Sequence, residues 1–192
     1  MSRCIAVTGF GPFVEVDRNA SGEVALGLSE LELPGLRVHS TVLPVTFEDA
    51  PRHFDAWFET LDPRPDAIVA LGVHRDAYFR LERRARTTLD SPKRDNSGRL
   101  AGGMRLEGRD LETGVDLPRM ERALRAAGAG DVRISDDAGG FVCERIYHHA
   151  LTRAEERGIS GLFVHVPPVE VQDSREQTRL VAALLRELGA AI

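Results

Sequence analysis

Three stretches of this chain carry side chains able to do covalent chemistry. In "SDDAGGFVCERIYHH" the thiol of Cys143 follows two glycines and lies near the start of a helix predicted over 141–158. Helix N-terminal amides and the helix dipole stabilise a thiolate. They equally stabilise the oxyanion formed when a thiolate attacks a carbonyl. A lone cysteine is otherwise a buried packing residue, and the local pattern leaves both readings open. In "GLFVHVPP", His165 ends an apolar strand predicted over 161–167, at the edge where open α/β sheets carry ligands. A core histidine bonded to a backbone carbonyl is the other reading. In "FRLERRART", Glu82 lies among Arg80, Arg83, Arg84 and Arg86. An extended segment puts Arg80, Glu82, Arg84 and Arg86 on one face. That face is either a solvated charged edge or the source of a carboxylate that orients a histidine and stabilises its imidazolium.

A fourth stretch, "AVTGFGPF" at 6–13, poses a binding question. Gly-x-Gly after a strand suggests a phosphate loop, but Val14 stands where a dinucleotide fingerprint needs its third glycine. Pro12 has no N–H to offer a phosphate, and the second strand ends in "LPV" without an acid. The turn then either fills core or builds an apolar pocket, with Phe10 and Phe13 as walls. Metal chemistry finds little support. His148 and His149 are adjacent on a helix and point about 100° apart, so they form no i, i+4 ligand pair. Cys4 reads as core, and His39, His53 and His74 as surface or packing residues.

The elements that must position these groups follow from periodicity. Strands are predicted over 3–9, 36–45, 66–73, 132–136 and 161–167, and an extended segment over 79–87. Helices are predicted over 21–31 with a serine cap, 47–61, 117–128 with proline in the first turn, 141–158 and 174–191. Residues 89–103 read as a loop from their Ser, Pro, Asn and Gly content. In 47–61, Phe47, Ala50, Phe54, Trp57, Phe58 and Leu61 share one helical face. Strand–helix alternation implies a largely parallel sheet with helices on both faces. At 192 residues one domain, 1–192, is expected. A formal net charge of -5 argues against a general nucleic-acid surface. No apolar run approaches the length of a membrane span, and two cysteines make no disulfide framework, so a reducing cytoplasm is the simplest setting.

Taken in order, "VTGFGPF", the "LP" near 43, "LERRA", the "DN-G" at 95–98, "AGGFVC" and "FVHVP" resemble the pyroglutamyl peptidases of type I over nearly the whole chain. The resemblance implies a single-domain, three-layer α/β/α sandwich with a largely parallel, mixed sheet. It implies a cysteine exopeptidase, without cofactor or metal, that removes an N-terminal 5-oxoprolyl residue from peptides. Family members are often homo-oligomers, so a dimer or tetramer is expected. By motif match, Cys143 is the expected nucleophile, His165 the general base and acid, and Glu82 the orienting carboxylate. Phe10, Phe13, Asn19, Phe141 and Val142 match pocket positions.

The chain departs from the family pattern around 73–94. Val73 stands at a pocket Gln, "ERRART" replaces "ERVAIN", and Pro92 and Lys93 replace an Arg and an Ile of "DARIPDN". These changes touch the pocket and its covering loop and support the first of two alternatives. One is an enzyme-like binding protein or a hydrolase of another amide on the same fold. The other is a nucleoside-phosphorylase-like enzyme, which needs a phosphate site that the Gly-Phe-Gly-Pro turn serves poorly.

Overall fold

The computed structural model describes residues 2–14 and 16–192. Its elements, in chain order, are β1 (Arg3–Phe10), α1 (Ala20–Glu30), β2 (Leu36–Leu43), α2 (Asp49–Phe58), β3 (Ala67–Val73), β4 (Phe79–Glu82), β5 (Arg84–Ala85), β6 (Thr88–Leu89), β7 (Met104–Arg105), β8 (Leu111–Glu112), α3 (Leu117–Ala126), β9 (Val132–Ser135), α4 (Val142–Arg157), β10 (Ser160–Val166) and α5 (Ser174–Ala191). The main sheet has the order β2-β1-β3-β10-β4-β9. Strands β2, β1, β3 and β10 are parallel; β4 enters antiparallel to β10 and parallel to β9.

The apolar runs of β1, β3 and β10 are buried on both faces, as strands covered on two sides must be. Alternate residues feed two cores. Ile5, Val7, Val69, Leu71, Leu162 and Val164 pack under α1, α3 and α5. Ala6, Ile68, Ala70 and Phe163 pack under α2 and α4. The result is the three-layer α/β/α arrangement with a mostly parallel sheet. On α2 only Ala50, Pro51, Phe54 and Phe58 are buried, one face of the helix.

Two local expectations are corrected. The cap of α1 is Asn19, whose side chain accepts the Ser21 N–H; Ser21 is the second residue of the helix, inside its first turn. In "TGFGPF" neither Gly9 nor Gly11 has positive φ. Gly9 instead admits α1: a Cβ there would stand 2.1 Å from the Ser21 carbonyl oxygen. The segment 79–87 is not one extended face, because β4 stops at Glu82 and Arg84 joins a separate ladder with β8. The predicted loop 89–103 is largely enclosed by the short ladder of β6 and β7.

Candidate active site

The chemistry-bearing residues meet at the carboxyl ends of β1, β3 and β10, where open α/β sheets place ligands. Sheet register explains why. One row across the sheet reads Gly72, His165, Arg80; the row below reads Ala70, Phe163, Glu82. Residues two apart on a strand share a face, so His165 and Glu82 project from the same side of adjacent strands. His165 Nδ1 lies 2.7 Å from Glu82 Oε1, with both side chains buried. A carboxylate only accepts, so Nδ1 carries the hydrogen and the Nε2 lone pair is left for other partners. Arg80 Nε also reaches Oε1, at 3.1 Å, and its Nη2 donates to Ser135 Oγ at 2.7 Å. The expected solvated edge is therefore wrong for Glu82. It is fully buried because an antiparallel strand was inserted beside β10, a long-range pairing that "LERRA" alone does not announce.

Cys143 occupies the first turn of α4. The cap residue Phe141 offers no side-chain hydrogen bond, so the first-turn amides are not consumed by a cap. The turn before it needs glycine. Gly140 has φ of 61°, and a Cβ there would stand 2.2 Å from Asp90 Oδ1. The Cys143 sulfur lies over Gly72, where a Cβ would come within 2.9 Å of it. Gly72 is the sheet partner of His165, so the missing side chain makes room for the thiol beside the imidazole. Burial, then the negative charge of Glu82, pushes the thiol up to about 12, while the Lys93 ammonium opposes them. Taking the proton from a thiol so held calls for a base beside it.

Glu144, next to the cysteine, fixes the same turn. Its buried carboxylate accepts from Gly140 N at 3.2 Å, Arg86 N at 2.7 Å and the Arg86 guanidinium at 3.1 Å. Asp95 fixes the covering loop, accepting from Phe47 N at 2.9 Å and from Ser97 and Arg99 amides at 2.9 Å. Neither residue was singled out from sequence; "DN-G" was the available signal for Asp95.

Cys143 and His165 open into one cleft of about 1090 Å³. Phe13, Phe141, Val73 and Ala138 give it apolar walls, and Lys93, Arg94 and Asn96 come from the covering loop. Of the expected pocket residues, Phe13 and Phe141 line this cleft. Phe10, Asn19 and Val142 do not. Phe10 and Val142 are core residues beneath it, and Asn19 is a buried helix cap that also donates to the Gly11 carbonyl at 2.9 Å. His74, read from sequence as a surface or packing residue, was also missed. His74 lines the cleft, and its ring stands 5.4 Å from that of His165. Among the described residues no group of three His, Cys, Asp or Glu side chains is placed to hold a metal ion, and no helix is long and apolar enough to cross a membrane.

A profile of the pyroglutamyl peptidase family matches residues 3–183. The chain is 32% identical over 172 residues to the pyrrolidone-carboxylate peptidase of Deinococcus radiodurans, covering 85% of this chain and 77% of that one. It is 29% identical over 178 residues to pyrrolidone-carboxylate peptidase 1 of Ralstonia nicotianae, covering 88% and 80%. The structure matches the crystal structure of the pyrrolidone carboxyl peptidase of Fervidobacterium islandicum with a TM-score of 0.87 at 25% identity, over 97% of this chain and 98% of that one.

Proposed function

This chain belongs to the pyroglutamyl peptidase family, and on that premise we propose that it is a cysteine exopeptidase that removes an N-terminal pyroglutamyl residue from peptides. The observation that carries the reading is the buried His165–Glu82 pair opening into the same cleft as Cys143, at the start of α4. Pyroglutamate is an uncharged lactam without a free amine. A wall of Phe13 and Phe141 suits such a ring, with selectivity coming from a few polar partners.

The reaction follows from the geometry. His165 Nε2 takes the Cys143 proton as sulfur bonds to the scissile carbonyl carbon, and the carbonyl oxygen takes the negative charge. First-turn amides of α4 face that charge. The tetrahedral adduct collapses, the C–N bond breaks, and the imidazolium returns its proton to the leaving amine. His165 then takes a proton from water, whose oxygen attacks the thioester; free pyroglutamate leaves and the thiol is restored. Glu82 holds the ring and stabilises the imidazolium in both steps. By the same family resemblance the protein works in the cytoplasm as a homo-oligomer, which light scattering in solution checks.

Mass spectrometry of peptide digests tests the substrate. Peptides beginning with pyroglutamate lose that one residue; matched peptides beginning with proline or glutamine stay whole. Equal cleavage of all three would overturn the lactam reading in favour of another amide hydrolase.

A further inference from the structure

The imidazole of His165 has two ring neighbours. Phe163 lies 4.8 Å away between centroids, tilted at 57°, and His74 lies 5.4 Å away, nearly perpendicular at 83°. His74 is itself fixed. Its Nδ1 accepts the Asp76 N–H at 3.0 Å, and its Nε2 stands 3.0 Å from the Tyr78 carbonyl oxygen, to which it donates. These partners use both nitrogens and select one neutral tautomer. Behind it the Tyr78 ring lies 5.3 Å away, with the Arg133 guanidinium 3.9 Å above that ring. A stack therefore runs from β9 through the 74–78 loop to the imidazole on β10.

With both nitrogens occupied, His74 has none free to relay a proton. We propose that His74 is a positioning residue: its neutral ring closes the open face of His165, leaving the imidazole free only within its plane, with Nδ1 on Glu82 and Nε2 towards Cys143. This rests on the catalytic role given to His165 above. The charged and titratable groups around the pair are Arg80 and Glu82 from β4, Cys143 from α4, and Asp76 and Tyr78 from the loop. Burial pushes His74 down to about 4, with the neighbouring His165 and Arg80 acting in the same direction, so the ring stays neutral across the working range.

The test compares His74→Phe, which keeps a ring, with His74→Ala and His74→Gln, which do not. In folded protein, Ala and Gln are expected to lower kcat roughly 10- to 100-fold with little change in KM, as loss of orientation does. Phe is expected to restore most of kcat. Full activity in His74→Gln, or a His74→Phe as slow as His74→Gln, would overturn the clamp. A second readout does not need turnover. The His165 Nδ1–H proton resonance should persist in wild type and His74→Phe and be lost to solvent exchange in His74→Ala. An unchanged resonance in His74→Ala would sink the clamp, whereas wild-type protein inactive on pyroglutamyl amides would sink the functional reading instead.

Discussion

At the residue scale, two side chains make opposite demands on their surroundings. Cys143 is most stable protonated where it sits, since burial and the Glu82 charge both push it up. Its alkylation by iodoacetamide is therefore expected to rise about tenfold per pH unit from pH 7 to 9, without a plateau near neutrality. A plateau would mean a preformed thiolate–imidazolium pair. Glu82 acts through charge and through the ring tautomer it selects. Glu82→Gln should lower kcat by roughly 10²- to 10⁴-fold while the fold survives, measured as turnover beside thermal melting. Cys143 and His165 were legible as candidates because local patterns place one at a helix start and the other at a strand end. For Glu82 the local pattern left a solvated edge and an orienting carboxylate open, and only the family resemblance chose between them, because its burial depends on a strand 83 residues away in sequence. His74 was illegible, because its position depends on the 74–78 loop folding back onto β10.

At the element scale, the site depends on where side chains are absent. β3 must pass under the nucleophile without a Cβ at Gly72, where one would meet Phe163 at 2.8 Å and the sulfur at 2.9 Å. Gly72→Ala is expected to cost about 1–3 kcal/mol of stability and to lower kcat much further than that loss implies, because the displaced atom is the thiol itself. Stability and kcat measured on one preparation separate the two effects; a variant with normal kcat would show that the sulfur is not held there. The elements themselves were largely readable, since five long apolar or amphipathic segments carry clear periods. The short ladders β5–β8 and β6–β7 were not, because two-residue strands have no period to read. Asn19, matched to a pocket position, proved to be the cap of α1: its oxygen completes the helix start and its amide ties that start to Gly11.

At the scale of the whole molecule, half-buried histidines whose protonation burial opposes tie stability to pH. His74 is held at about 4 against an ordinary 6.5, and burial lowers His149 as well. His74 binds fewer protons folded than unfolded at mildly acid pH, so its contribution to stability rises with pH through the window from 4 to 6.5 and falls on acidification, and His149 acts in the same direction. His74 alone accounts for about 2 kcal/mol lost between pH 7 and pH 5. Urea midpoints at the two pH values check this, and His74→Phe should show a shallower dependence. A midpoint independent of pH would contradict it.

Hydrolysis of a fluorogenic L-pyroglutamyl amide under reducing conditions, by wild type and by Cys143→Ala, asks whether the Cys143 thiol in this cleft cleaves pyroglutamyl amides. Wild type is expected to turn over steadily, and a Cys143→Ala protein that melts as wild type does is expected to lose several orders of magnitude in rate. Turnover retained without the thiol, or none from well-folded wild type, would contradict that expectation.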